Sequence, residues 1–270
     1  MSAATIIIPA RYESARFPGK PLAPLRGAGG TVRSLLERTV IAARAAADSV
    51  TLSAIHVATD DLRIADEARR LGVEVIMTTP DCRNGTERVA QAVANAGITD
   101  EIIINLQGDA PLTPPGFVAA LVAAMRADPG RQVATPVLRC TREALENFLA
   151  DRRAGRVGAT TVVCDLAGHA LYFSKEVIPH TGGRVPRDGP VPVFHHVGLY
   201  AYRQPALRAY ARTPATPLER AEGLEQLRFL ETGQTIAAIE VESGGATFWE
   251  LNNPSDVGLI EGYLARMGMD

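Results

Sequence analysis

The sequence predicts an α/β fold, a mostly parallel sheet with helices on both faces and an antiparallel extension. Three observations carry this reading. Apolar, β-branched runs alternate with helix-period segments through the first half; those runs end in polar or glycine-containing loops; and the second half turns to short strands separated by turn residues. Residues 5–8 (Thr-Ile-Ile-Ile) are long enough for one buried strand, which stops at Pro9 and opens into a loop holding Arg11, Arg16 and Pro18-Gly19-Lys20. Residues 31–47 carry Val32, Leu35, Leu36, Val40 and Ile41 at helical spacing. A strand over 54–59 ends at Asp60-Asp61, which can cap a helix over 62–71, and 73–77 is the next strand. A loop over 78–88 feeds a helix that begins near Thr86, and a strand over 101–106 ends at Gln107-Gly108-Asp109. Alternation of this kind, with right-handed crossovers, builds a parallel sheet.

In the second half, strands are expected over 133–137, 158–164 and 169–173, with a hairpin turn over 165–168. Glycine and proline crowd residues 180–193, where a mobile loop is expected. A strand over 195–203, helices over 204–211 and 217–230, a strand over 235–241 and a terminal helix over 254–267 complete the chain. One domain of 270 residues is expected, ending in the terminal helix.

A net charge of −2 argues against a general nucleic-acid binder and for local positive clusters that act on a small ligand. No apolar run approaches the roughly 18 residues of a membrane span, so a cytoplasmic chain without a membrane partner is expected. Cys82, Cys140 and Cys164 are odd in number and far apart, which suggests neither a disulfide framework nor a zinc site.

The first loop is the strongest chemical signal. Lysine is scarce, with only Lys20 and Lys175 among 28 basic residues. After a parallel strand the chain emerges at the carboxyl edge of the sheet, where free N–H groups with Arg11, Arg16 and Lys20 could hold a triphosphate. A Walker A loop is excluded, because Ser14 and Pro21 stand where it needs glycine and a hydroxyl residue. Asp109, at a strand end, is either a turn cap or a hard oxygen ligand. His195 and His196 are strand neighbours and face opposite sides, while Tyr200 and Tyr202 share one. Glu87 and Arg88 read as a helical surface charge and a salt bridge.

The ordered motifs Pro9-Ala10-Arg11 with Ser14, Arg16 and Pro18-Gly19-Lys20-Pro21-Leu22, then Ala58-Thr59-Asp60, Gly85-Thr86-Glu87-Arg88, Gln107-Gly108-Asp109, Ala170-Leu171-Tyr172-Phe173-Ser174, His196-Val197-Gly198-Leu199-Tyr200 and Leu224-Glu225-Gln226-Leu227-Arg228 resemble those of the CMP-Kdo synthetases, the 3-deoxy-manno-octulosonate cytidylyltransferases. The resemblance covers nearly the whole chain and implies a single domain with a nucleotide-binding half over 1–130, an acceptor-binding and dimerisation part over 131–253 and the terminal helix over 254–270. It implies a Rossmann-like nucleotidyltransferase that uses CTP and Mg2+, joins CMP to a small acidic acceptor, releases pyrophosphate and works as a homodimer. It assigns CTP to Pro9, Ala10, Arg11, Arg16, Lys20, Arg83, Asn84, Gly85, Gln107 and Asp109, with Arg11, Lys20 and Asp109 as the catalytic set and Arg83-Asn84-Gly85 bordering the cytosine. The acceptor falls to Gln107, His196, Tyr200, Glu225 and Gln226, and the metal to Asp109 and Asn252.

Three positions depart from the family pattern. Ala110 replaces an acid after Asp109, Asn252 replaces a metal-binding aspartate, and Gly158-Ala159-Thr160-Thr161 replaces an Asn-x-Val-Lys segment that faces the sugar acid. An amide at Asn252 can coordinate but brings no charge, so weaker metal binding is expected. The acceptor is then a Kdo-like sugar acid or a phosphonate such as phosphonoformate. A non-catalytic nucleotide-binding regulator is the alternative from outside this reaction class, and transfer from another nucleotide lies between.

Overall fold

The computed structural model describes residues 3–14, 16–156, 159–182, 189–242, 251 and 253–270. Along the chain come β1 (Ala4–Pro9), a 3-10 turn (Lys20–Leu22), β2 (Pro24–Arg26), β3 (Val32–Ser34), α1 (Leu35–Ala46), β4 (Leu52–Thr59), α2 (Leu62–Arg70), β5 (Glu74–Met77), α3 (Gly85–Ala96), β6 (Ile102–Leu106), α4 (Pro115–Ala127) and β7 (Val133–Arg139). Then follow α5 (Arg142–Arg153), β8 (Thr161–Cys164), β9 (Ala170–Ser174), β10 (Phe194–His196), β11 (Leu199–Tyr202), α6 (Gln204–Arg212), α7 (Pro217–Glu222), α8 (Leu227–Glu231), β12 (Ala237–Glu240) and α9 (Asp256–Arg266).

Every residue of β1 is buried, and the period-2 alternation of a strand divides its side chains between two cores. Ile6 and Ile8 pack with Leu36 and Val40 of α1, Ile64 of α2 and Phe117 and Leu121 of α4, whereas Ile7 packs with Val89 of α3 and Leu207 and Tyr210 of α6. Helices therefore cover both faces. The ten-stranded sheet has the order β5-β4-β1-β6-β11-β7-β10-β8-β9, with β12 beside β7. Strands β5, β4, β1 and β6 are mutually parallel, β12 is parallel to β7, and the pairings of β11, β10, β8 and β9 are antiparallel. The mixed sheet, mostly parallel in strand direction with an antiparallel end, is the one expected. The turn before β9 returns to the sheet, where His169 bridges Ala237 of β12.

Side-chain caps start several helices. Ser34, Asp61, Asn84 and Thr141 accept backbone N–H groups at the starts of α1, α2, α3 and α5, each such cap being worth about 1 kcal/mol. The expected helix over 31–47 starts only at Leu35, because residues 32–34 pair with 24–26 and Ser34 then caps. The expected helix over 217–230 is two, since Gly223 takes φ +61° and ends α7. The expected strand over 195–203 is likewise interrupted between His196 and Leu199. Helices α4 and α5 are additions to the expected order, and the terminal helix is shorter than expected at both ends. Of the loop expected over 180–193, residues 183–188 lie outside the described residues, while Val191 and Val193 are buried against Cys140 and Leu145.

All three cysteines are free thiols, and burial raises each pKa, that of Cys140 to about 11. No helix among the described residues is long and apolar enough to cross a membrane.

The two histidines of β10 do face opposite ways. His195 meets the edge of Phe148 from α5, and His196 packs among Phe173, Tyr200 and the Thr135 hydroxyl, 3.0 Å from its Nε2. Desolvation lowers their pKa values to about 4 and about 3. Both are neutral when folded, whereas an unfolded chain takes up protons below the ordinary histidine value. Their contribution is thus present above pH 6.5 and is lost as pH falls towards 4, by about 1.4 kcal/mol per pH unit for each histidine. Denaturant unfolding at pH 7 and pH 5 should show this loss, and it should shrink in His196→Gln; an unchanged pH dependence in that variant would contradict the assignment.

Candidate active site

The parallel register of β1 on β6, with Ile7 opposite Asn105, brings the ends of both strands side by side. The loop that leaves β1 at Pro9 consequently touches the one that leaves β6 at Gln107. Contact is closest at Gly108, where an added Cβ would stand 2.7 Å from the Pro9 carbonyl oxygen. Backbone bonds then shape the first loop. Ala10 N–H donates to Ala58 O at 2.9 Å, and Gly19 N–H donates to Tyr12 O at 2.8 Å with Gly19 at φ +71°. The Tyr12 ring lies under the Arg63 guanidinium, 3.3 Å from its centroid. The loop so folded delivers Lys20, whose Nζ donates to Asp109 Oδ2 at 2.6 Å.

A cleft opens at these strand ends. Its floor is Pro9, Ala10, Gly108 and Asp109, its cationic wall is Arg11, Arg16, Lys20 and Arg88, and its far edge is Asn84, Gly85 and Gln107. Among the described residues Asp109 is the one carboxylate on the lining, against four cationic side chains, so the site favours a polyanion. Every residue assigned to CTP from sequence lines the cleft except Arg83, which stands beside it and accepts from Arg11 Nη1 at 3.5 Å through its carbonyl. Ser14, Pro21, Arg88 and Gly108 complete the lining. Three of these lay within recognised motifs but were given no role. Arg88, read as a surface salt-bridge residue, is instead 2% exposed, bonded to Thr78 and paired with Asp60 Oδ2 at 3.3 Å. Glu87 is also no surface charge, since its carboxylate is paired with the buried Arg228 at 2.8 Å.

The far edge is fastened from α3. Thr86 N–H donates to Glu225 Oε2 at 2.9 Å, and Gln107 Nε2 donates to Glu225 Oε1 at 3.0 Å. Burial pushes the Glu225 carboxyl above the usual range, while these bonds pull the other way. Of the residues assigned to the acceptor, Gln107 thus lines the cleft and Glu225 holds it. His196, Tyr200 and Gln226 are buried, and Gln226 Nε2 has no hydrogen-bond partner among the described residues.

The departures resolve in part. Ala110 packs with Ala10, Leu106 and Phe117 in the core and is not among the cleft residues, so an acid there would enter apolar surroundings. The Thr161 hydroxyl donates to Glu176 O at 2.6 Å and accepts from Ile178 N at 3.0 Å, which commits it to its own hairpin. Gly158 and Asn252 lie outside the described residues. Leu251 N–H donates to Asp109 O at 2.9 Å, which lays that residue against the Asp109 loop. Among the described residues no cluster of three or more histidine, cysteine or acidic side chains could hold a metal by itself. The Asp109 carboxylate beside cations that attract phosphate fits Mg2+, which is commonly held by one or two carboxylates with phosphate and water oxygens.

The close approach at Gly108 has a measurable consequence. Gly108→Ala should cost about 1–3 kcal/mol in denaturant unfolding, because the methyl group meets backbone that cannot yield cheaply. Gly116→Ala, where a Cβ meets open space, should be neutral or slightly stabilising. Equal effects of the two substitutions would refute the packing argument.

Comparison with known proteins agrees with the architecture. A family model described as cytidylyltransferase matches residues 5–236. A 3-deoxy-manno-octulosonate cytidylyltransferase of Maricaulis maris is 42% identical over 262 residues, covering 97% of each chain. One from Chlamydia trachomatis is 38% identical over 258 residues, covering 96% of this chain and 92% of its own. A solved structure of CMP:2-keto-3-deoxy-manno-octonic acid synthetase complexed with CTP superposes with a TM-score of 0.80 at 31% identity, covering 98% of this chain and all of that one.

Proposed function

Because the chain belongs to the cytidylyltransferase family, a family of nucleotidyltransferases, we propose that it transfers CMP from CTP to 3-deoxy-manno-octulosonate, with release of pyrophosphate. The observation that carries this reading is the cation-lined cleft with Asp109 at the carboxyl ends of β1 and β6, in a chain 42% identical to a protein of that activity. The comparisons lend no support to the phosphonate acceptor or to the non-catalytic regulator.

Attack of an acceptor oxygen on the α-phosphorus displaces pyrophosphate, and three demands follow. The triphosphate must be neutralised, the nucleophile must lie in line with the leaving group, and charge building on the leaving oxygens must be met by fixed positive groups. Arg11, Arg16 and Lys20 face the cleft from the first loop and meet the first and third demands. Lys20 moves its ammonium from Asp109 towards phosphate oxygens, which frees the Asp109 carboxylate. Mg2+, bound with the nucleotide, would be held by Asp109 and would supply further charge neutralisation on the phosphates. Gln107, fixed by Glu225, presents an amide to the acceptor side of the cleft.

Pyrophosphate release should require CTP, Mg2+ and a sugar acid together. Lys20→Ala and Asp109→Ala should each lower turnover by at least about 100-fold while unfolding near the parent temperature. Full activity in either folded variant would overturn these roles. Absence of turnover with 3-deoxy-manno-octulosonate, alongside turnover with another acid, would overturn the acceptor.

A further inference from the structure

Behind the far edge of the cleft lies a buried charge network with no group in the cleft itself. At its centre is Arg228, 1% exposed and among the largest fully buried side chains of the molecule. It grips Glu219 of α7 with two bonds, Nε at 2.7 Å and Nη2 at 2.6 Å, and Nη2 also donates to Glu87 Oε1 of α3 at 2.8 Å. Its Nη1 donates to the Thr213 carbonyl at 3.1 Å, and the guanidinium lies over the Tyr210 ring, 4.0 Å from the centroid. Two carboxylates, a carbonyl and an aromatic face thus converge on one planar cation. This is a set that the fork of arginine matches and the point charge of lysine does not.

The two carboxylates lead to the cleft by separate routes. Glu87 uses its other oxygen, Oε2, to accept the Arg83 N–H at 2.8 Å, and Arg83 O in turn receives Arg11. Glu219 Oε1 accepts from Asn84 Nδ2 at 3.4 Å, and the same amide donates to Tyr210 Oη at 2.9 Å under the Arg228 cation. Asn84 also caps α3, so its side chain is held at both ends. The consecutive residues Arg83 and Asn84, beside and at the edge of the cleft, are therefore each bonded to a carboxylate that Arg228 holds.

We propose that Arg228 is a positioning residue for nucleotide binding. Through Glu87 and Glu219 it sets the Arg83-Asn84-Gly85 edge against which CTP lies, and it has no part in the acceptor's half of the site or in the phosphoryl transfer. This inference rests on the proposed use of the cleft for CTP. A coupling of this kind appears in the binding of one substrate and not in the chemical step.

The test uses the full chain with CTP, Mg2+ and the sugar acid. Arg228→Met would strand two buried carboxylates, so the informative variants are Arg228→Lys, which keeps the charge and loses the fork, and Glu87→Gln, which weakens one route only. Both should raise the KM for CTP, by roughly tenfold for Arg228→Lys and less for Glu87→Gln, with kcat and the acceptor KM within about twofold of the parent. Calorimetric titration of CTP into the two variants should show the same weakening. A lowered melting temperature with unchanged CTP affinity would make Arg228 purely structural and overturn the proposal, as would a fall in kcat at unchanged CTP KM or an equal rise in both KM values. If the parent itself neither binds nor consumes CTP, the proposed function fails instead, which keeps the two failures distinguishable.

Discussion

Parallel pairing of β1 with β6 is the constraint on which the site depends. Their register sets Pro9 against Gly108, and the Lys20–Asp109 ion pair then joins side chains 89 positions apart. The pair is partly exposed, at 16% and 25%, and a pair of that exposure contributes at most about 1 kcal/mol to stability. Its value therefore lies in the proposed function, in which Lys20 supplies a cation for phosphate and Asp109 a hard oxygen for a metal ion. Burial of β1 on both faces gives the loops a fixed point of departure.

Opposite these two loops, the start of α3 is held in another way. Its first turn is tied to the segment over 224–228 by Glu225 bonded to Thr86 N–H and by Arg228 bonded to Glu87. The cations of the first loop, exposed Arg11 and Arg16 and half-buried Lys20, thus face a far edge whose residues are fastened to a buried network. That division suits the proposed function, in which one side of the cleft takes the triphosphate and the other discriminates the rest of the nucleotide.

Much of this was legible in the chain. The apolar runs that became β1 and β6 were plain because strands buried on both faces need continuous apolar residues, and their ends led to Lys20, Gln107 and Asp109, while β4 and the edge strand β5 showed as shorter β-branched runs. Helix α4 was not expected, although Phe117, Val118, Leu121, Val122 and Met125, which form its buried stripe, carry a signal that could have found it. Helix α5 was not expected either, because its apolar stripe of Leu145, Phe148 and Leu149 is short and set among charged residues, with Leu145 alone buried. The three-residue strands β2 and β3 are too short to alternate visibly. Arg88 was misread as superficial because its partner Asp60 lies 28 positions away, and Glu87 because its partner Arg228 lies 141 away. Charges look solvated in a sequence until the fold supplies the opposite sign.

The central claim is that the two strand-end loops form a joint site for a nucleotide and its metal ion. It is tested most directly by measuring the Kd for CTP by calorimetry in EDTA and in Mg2+, for the parent and for Asp109→Asn. The account predicts that Mg2+ tightens CTP binding by the parent and has little effect on the variant, which should still bind CTP through Arg11, Arg16 and Lys20. Equal tightening in both, or no CTP binding by the parent, would contradict it.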